Sequence, residues 1–428
     1  MTCRGHRTIL LIVLVLAAPA FAQAPPGGNQ PLRFSRQEAV AQALARNPGL
    51  AASQEQVEQA RAQVVIAAAL ADPTFTADVS GQSHVLNPRS ANASDQGVGV
   101  TIPFPGKTGL RRDVATASLR AAEFSLTQLR QQVASQAIQA YDALLVGQRH
   151  RDDLQQSKDL ASDFVQKTKA RFAAGTVARV DVVKAEVDLA QAGNDLIANE
   201  RAIATARASL NRILGRLGGT PLETADTLEV PPPLPSVENL ETLAESSRPE
   251  LQSLTVQREG ARTATRLARE FWAPDFNLSL SRNATDGTPP TYTSGVTIGF
   301  PLFFWQHQRG EVAAARHRES ELVADISDQR AQVSLDVQSA FANASTALRQ
   351  AIFIRDELLP EAREVYRVAS VSYGLGGSSA LELLDAKRTL LDAEKQYVDA
   401  LGAANDAKAA LELAVGAPLP AAISGDHP

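Results

Sequence analysis

The chain has little of three things that proteins commonly use to stabilise or anchor a fold. Its 428 residues include a single cysteine, Cys3, so no disulfide can form within the chain. Aromatic residues make up only 5% of the sequence, so large side chains contribute little buried area. No apolar run approaches the roughly 20 residues that a membrane-spanning helix needs. If the chain enters a membrane, it must therefore do so as β-strands.

The N-terminus has the features of a secretory signal peptide. An apolar run at residues 9–18 follows the basic residues Arg4 and Arg7. A small-x-small cleavage pattern comes next, at residues 20–22. We therefore predict a signal peptide over residues 1–22, and its removal would leave the mature chain without cysteine. Because the cysteine precedes the apolar run, it is not placed for lipidation.

Acidic residues slightly outnumber basic ones. The formal charge is −5, from 42 basic and 47 acidic residues, and loss of two arginines with the signal peptide would make it −7. This mild acidity argues against a nucleic-acid-binding protein, whose surface needs basic patches.

Short motifs recur at an offset of 201 residues, which predicts a duplicated chain. We expect a first repeat over residues 35–230 and a second over residues 231–428. A proline-rich linker at residues 231–235 joins them, and residues 23–34 form an N-terminal extension. The matching pairs are Asn47-Pro48-Gly49-Leu50 with Arg248-Pro249-Glu250-Leu251, Asp72-Pro73-Thr74-Phe75 with Ala273-Pro274-Asp275-Phe276, and Phe172 and Gly175 with Tyr373 and Gly376.

The same order of elements is predicted in each repeat. An opening helix begins at a capping box formed by Ser35 and Glu38 and runs to about Ala71. Two strands with period-two alternation follow, within residues 74–104 and, in the second repeat, 275–302. A helix of roughly 100 Å then leads to a glycine-containing turn, and a returning helix closes the repeat. The fold class is therefore mainly α with a small β part, built on duplicated long helical hairpins.

The turns are the most specific stretches. We call residues 172–181 the first tip and residues 373–385 the second tip. In the second tip, glycines break the helix, and Glu382 and Asp385 follow at i, i+3 on one face of the next helix. Two helix reversals in one chain predict two hairpin tips.

Four strands per chain cannot form a closed structure alone. An open sheet leaves two unpaired edges, which lipid does not tolerate. The sheet must therefore close with other copies of the chain, and its alternation fits a barrel wall with an apolar outside. A small soluble sandwich with the apolar face buried is the alternative.

The repeat, the strand pattern and the Tyr373-x-x-Gly376 turn followed by Leu-Glu-Leu-Leu-Asp-Ala resemble the TolC family of outer-membrane efflux channels. The resemblance implies a homotrimer in the outer membrane. About twelve strands would form a transmembrane β-barrel, and an α-helical tunnel would cross the periplasm below it. The implied partners are a periplasmic adaptor, an inner-membrane pump and outer-membrane lipid. The strand exit at residues 300–310 is similar to that of the heavy-metal-efflux branch.

The resemblance also assigns roles at the tips. It places Glu382 and Asp385 at the narrow end of the tunnel, where threefold symmetry would form a cation-attracting constriction. They could instead be solvated acids at a helix N-terminus, where acids are favoured anyway. Ser378 stands where relatives of the best-known family member keep an arginine that ties neighbouring helices, and Arg179 is a candidate substitute. The residues expected at the tip and in adaptor docking are Phe172, Gly175, Asp181, Tyr373, Gly376 and Ser378.

The function that this implies is a passive exit channel of a tripartite efflux system for small toxic solutes, either metal ions or drugs. A type I protein secretion channel and a periplasmic adaptor are the alternatives, although an adaptor would have one hairpin. No enzyme is expected, because Ser-His-Asp, P-loop and dinucleotide motifs are missing from the sequence. His307 and Glu311 share a helix face without a second pair, so we predict no metal site and no cofactor.

Overall fold

A computed structural model describes residues 32–80, 93–299, 304–375 and 377–419. The predicted signal peptide and Gly376 lie outside these residues. Long helices dominate the described part, which confirms the predicted fold class. The helices are α1 (Arg36–Arg46), α2 (Pro48–Ala68), α3 (Lys107–Ala173), α4 (Arg179–Ile213), α5 (Val237–Ser247), α6 (Pro249–Arg269), α7 (Phe304–Phe353), α8 (Leu359–Gly374) and α9 (Ala380–Val415). The strands are β1 (Leu32–Phe34), β2 (Thr74–Ser80), β3 (Ala93–Ile102), β4 (Leu222–Thr224), β5 (Asp275–Thr285) and β6 (Thr291–Gly299).

The opening helix is two helices, so the prediction of one continuous helix was wrong. The capping box is present, since the Ser35 N–H donates to the Glu38 carboxylate at 2.8 Å. At Asn47 the backbone becomes extended, and the Asn47 side chain accepts the N–H of Gly49 at 2.8 Å. Pro48 disfavours helical backbone at the residue before it, so α1 ends there and α2 begins. The second repeat breaks in the same way between α5 and α6, at Arg248.

The long helix of the second repeat contains a wider turn that the sequence analysis missed. A π-helical turn at Ile354–Leu358 separates α7 from α8. Pro360 follows it, without an N–H and with a ring that would clash with the carbonyl four residues earlier. The π turn relieves that clash while the helix continues.

Four antiparallel strands form one sheet in the order β2-β3-β5-β6. Ile102, Phe276 and Ile298 lie side by side in one row, and Val100, Leu278 and Val296 lie in the next. The opposite face carries threonine, serine, asparagine and glycine. The sheet is therefore apolar on one face and polar on the other. The strand β3 begins at Ala93 and the strand β5 ends at Thr285.

The helices pack closely because small residues line their contacts. Next to the sheet the neighbours run in the order α2-α3-α6-α7, and towards the tips they run α4-α3-α9-α8. A Cβ at Gly260 would lie 2.8 Å from the Cβ of Ala117, and one at Gly402 would lie 2.7 Å from Val146. Between the sheet and the tips, β1 and β4 pair in parallel, and the buried Tyr141 hydroxyl donates to the Phe34 carbonyl at 2.8 Å.

Candidate functional site

The second tip reverses the chain between α8 and α9. The Gly377 N–H donates to the Ser372 carbonyl at 2.8 Å, and the Ser378 hydroxyl donates to the Ala369 carbonyl at 3.3 Å. Ser379 is the N-cap of α9, in a capping box with Glu382. The local sequence thus explains the reversal, since glycines end one helix and a serine begins the next.

Glu382 and Asp385 line one groove between α8 and α9. Both are exposed, and Val365 and Val368 of α8 line the same groove. The Glu382 carboxylate also accepts the Ser379 N–H at 3.2 Å, which is the capping role that the sequence left open. The structure therefore brings the two predicted acids together in a single chain, while a threefold constriction stays a prediction.

The first tip is built differently. Gly175 has a positive φ of 74°, which favours glycine, and the Thr176 N–H donates to the Arg171 carbonyl at 3.0 Å. The Asp181 carboxylate accepts the Ala178 N–H at 3.3 Å at the start of α4. The Phe172 side chain is exposed, as a docking residue must be.

Arg171 joins the two tips, and the sequence analysis did not single it out. Its guanidinium donates to the Tyr373 carbonyl at 3.1 Å and lies 4.6 Å from the centre of the Tyr373 ring. Phe164 also packs against that ring, with 5.6 Å between the ring centres, so Tyr373 is only 8% exposed. Cation–π and hydrogen-bond contacts together stabilise this contact. Arg179 is exposed and has no hydrogen bond or ion pair in the described residues of the single chain.

A second contact between the repeats lies one to two turns from the tips. The ammonium of Lys387 on α9 lies 2.7 Å from the carboxylate of Asp188 on α4, and the lysine side chain is buried. No sequence pattern predicted this pair, because the two residues are 199 positions apart and do not match at the repeat offset.

A buried charged cluster lies beside β1 and β4. The Arg36 guanidinium donates to the Asp142 carboxylate at 2.5 Å and 3.0 Å, and the Asp142 side chain is 1% exposed. Burial raises the pKa of Asp142 against the opposing effect of Arg36. Burial, and then the charge of Asp142, raises the pKa of Asp406 to about 6. This cluster holds the hairpins together between the sheet and the tips.

Within the described ranges, no group of three or more histidine, cysteine, aspartate or glutamate side chains is placed to hold a metal ion. His150 instead pairs with Asp399, with 2.7 Å between nitrogen and oxygen. None of the helices in those ranges is long and apolar enough to cross a membrane.

The chain matches the family described as "Outer membrane efflux protein" twice, over residues 39–216 and 240–417. The chain belongs to this family. It is a channel of the outer membrane with its helical part in the periplasm, and the family is not a family of enzymes. The residue limits of the two predicted repeats stay a prediction.

Individual relatives are distant. The chain is 24% identical to the cobalt-zinc-cadmium resistance protein CzcC of Cupriavidus metallidurans, over 77% of this chain and 78% of that protein. It is 22% identical to the pyoverdine export outer membrane protein OpmQ of Pseudomonas aeruginosa, over 87% and 83%. Among solved structures, CusC has a TM-score of 0.76 at 17% identity, covering 92% of this chain and 96% of that one. VceC of Vibrio cholerae has a TM-score of 0.72 at 18% identity, over 89% and 96%. These structures share the fold, a trimeric barrel with a helical tunnel.

Proposed function

We propose that the chain is the exit channel of a tripartite efflux system and that it passes divalent metal cations. The acidic groove of Glu382 and Asp385 at the second tip carries this proposal, because paired carboxylates attract cations. The similarity to a cobalt-zinc-cadmium resistance protein supports the same class of cargo. A periplasmic adaptor and an inner-membrane pump would supply the cargo and the energy.

The open edges of the sheet support closure with other copies of the chain, and the family resemblance supports three copies. β2 and β6 are the edge strands, so β6 of one chain would pair with β2 of the next. The helices that flank the edges would then meet, α7 with α2 of the next chain beside the sheet and α8 with α4 near the tips. Exposed apolar residues lie on these helices, as expected of surfaces that a neighbour covers. They are Val65 and Ile66 on α2, Val180, Val183 and Val187 on α4, and Val371 on α8.

The tips would dock the adaptor. Phe172 and Leu375 expose apolar side chains at the two turns, which suits a protein partner rather than bulk water. Gly175, Asp181, Gly376 and Ser378 would shape the turns that present them. Tyr373 would support the shape of the second tip and would not contact the adaptor itself, since Phe164 and Arg171 cover its ring.

The constriction is tested by single-channel conductance of purified trimers in planar bilayers. Glu382→Ala/Asp385→Ala should lower the cation-to-anion permeability ratio by about threefold or more, because two charges per chain are lost close to the pore axis. It should also weaken block by divalent cations. Asp325→Ala/Asp328→Ala, which removes two exposed acids at the same spacing from α7, is the matched control and should change neither.

Unchanged selectivity in the tip variant would show that these acids are solvated caps and would contradict the proposed constriction. The cargo needs a separate readout. Cells that lack the channel but keep its pump and adaptor should become sensitive to cobalt, zinc and cadmium. If they lose resistance to organic drugs and keep metal resistance, the metal assignment is wrong while the channel function stands.

A further inference from the structure

Two tryptophans mark the level at which the helices meet the sheet. Trp272 lies between α6 and β5, and Trp305 is in the first turn of α7. Both are exposed, and they are the only two tryptophans in the sequence. Exposed tryptophan is typical of the interface between the hydrocarbon core and water.

The neighbours of Trp272 place it on the apolar side of the sheet. Its ring lies 6.2 Å from that of Phe104, which comes two residues after Ile102 on the apolar face of β3. Lys107 stabilises the junction between α6 and β5, since its buried ammonium donates to the Ala273 carbonyl at 2.6 Å and to the Asp275 carboxylate at 3.0 Å. Trp272 therefore continues the surface that faces lipid in a closed barrel.

Arginines lie one to two helical turns from each tryptophan, on the side away from the sheet. Arg266, Arg269 and Trp272 are spaced by three residues, which puts them on one side of the end of α6 and its 3-10 turn. On α7, Arg309 follows Trp305 by four residues, about 6 Å along the helix. The two helices are adjacent here, because the Gln308 amide donates to the Arg269 carbonyl at 2.7 Å.

These three arginines are available to a ligand. All are exposed, and no carboxylate among the described residues lies within salt-bridge distance of them. The acids nearby in sequence are Glu270, which is partly buried, and Glu311, which is exposed. Basic side chains below a tryptophan ring lie at the depth of lipid phosphates and attract them.

We propose that Arg266, Arg269, Arg309 and the two tryptophans bind the head groups of anionic phospholipids in the periplasmic leaflet. The tryptophan rings lie at the boundary between the acyl chains and the head groups, and the guanidiniums contact the phosphates one to two turns below, where arginine forms bidentate hydrogen bonds. This surface anchors the junction between the barrel and the tunnel, independently of the cargo of the channel.

The tryptophans themselves report on the site. Trimers would be reconstituted in phosphatidylcholine vesicles that contain either brominated phosphatidylglycerol or brominated phosphatidylcholine at equal mole fraction. Bromine quenches tryptophan fluorescence on contact, so preferential binding of the anionic lipid gives stronger quenching. We expect a ratio of the two quenching constants of about two or more, falling with added salt as surface electrostatics is screened.

Two triple variants show which arginines cause the preference for the anionic lipid. Arg266→Gln/Arg269→Gln/Arg309→Gln should bring the ratio to about one. Arg258→Gln/Arg262→Gln/Arg316→Gln, on the same helices but about 15–20 Å from the tryptophans, should leave it unchanged. The matching substitutions of the first three arginines by lysine should give an intermediate ratio, because lysine keeps the charge but loses the bidentate hydrogen bonds.

Three results would overturn the proposal. One is equal quenching by both lipids in the unmodified protein, which is expected if a neighbouring subunit pairs these arginines. Another is an equal loss of the ratio in both glutamine variants. The third, which needs no variant, is a ratio that does not respond to salt. Retention of heat-modifiable trimers in each variant shows that the fold is intact.

Discussion

The two repeats share a backbone plan but differ most where their first helices approach the sheet. Near its end, α2 is uncharged and leaves Val65 and Ile66 68% and 63% exposed. The matching end of α6 carries Arg266, Arg269 and Trp272 instead. α2 is at the edge of the helical layer, whereas α6 lies between α3 and α7. The difference shows that a duplicated unit keeps its fold while each copy adapts its surface to its own neighbours.

The largest expected effect concerns the exposed apolar end of α2, where the charged end of α6 offers the comparison. Val65→Asp/Ile66→Asp should abolish trimers, because each buried, unpaired carboxylate costs several kcal/mol in an apolar seam. Heat-modifiable migration after extraction from the outer membrane measures the outcome. Arg266→Asp, at the position matching Val65 in the second repeat, should keep its trimers. Intact trimers in the α2 variant would mean that no neighbour covers this face.

A partly buried acid distinguishes the returning helices. Asp406 on α9 corresponds to Thr205 on α4, and its pKa is raised from 3.8 to about 6 by burial and by Asp142. Since the folded protein holds this proton more tightly, the associated stability is fully present below pH 4 and is lost as the pH rises through 6. Asp406→Asn should therefore raise the free energy of unfolding at pH 8 by about 1–2 kcal/mol per chain, because the carboxyl is partly screened by solvent, with little change at pH 4.

Thermal unfolding of detergent-solubilised trimers at both pH values checks this prediction. Thr205→Asn is the control and should show no difference between the two pH values, because Thr205 is uncharged and its hydroxyl donates to the Arg201 carbonyl. A variant at Asp406 that is destabilised more at pH 8 than at pH 4 would reverse the sign and contradict the account.

The smallest expected effect concerns helix spacing. Gly260 on α6 is buried against Ala117, whereas the matching Gln59 on α2 is exposed. Gly260→Ala should cost about 1–3 kcal/mol through overpacking, despite the better helix propensity of alanine. Gln59→Ala should change stability by less than about 0.5 kcal/mol. Chemical denaturation of both variants measures this difference, and equal stabilities would show that α3 and α6 can separate freely.

Local signals in the sequence predicted much of the fold. The Ser35–Glu38 capping box, the strand from Thr74 to Ser80 and the recurrence at 201 residues depend on neighbours in the chain or on repetition. The break at Asn47 was also encoded locally, in the proline that follows, although the helical pattern on both sides concealed it. The π turn before Pro360 belongs to the same class of missed proline effects.

The contacts that join the tips could not be predicted in this way. Arg171 meets Tyr373, and Lys387 meets Asp188, across roughly two hundred residues, and neither pair repeats in the other copy. Such pairs depend on how the two hairpins are placed side by side, which one sequence does not encode in any local pattern. The proximity of Glu382 and Asp385 could be predicted from the sequence, since their spacing on one helix face is enough to bring them into one groove.

The central claim is that the four-stranded sheet closes with copies of itself. Cysteine at Thr76 on β2, combined in turn with cysteine at alternate residues of β6 from Thr291 to Gly299, tests it directly, since the one cysteine of the sequence, Cys3, lies in the predicted signal peptide. Within one chain the two strands are about 14 Å apart across β3 and β5, which is too far for a disulfide.

After oxidation, at least one pair should give a covalent trimer on denaturing gels, while each single variant stays monomeric. Trimers that assemble but form no bridge between subunits at any of these positions would contradict the account.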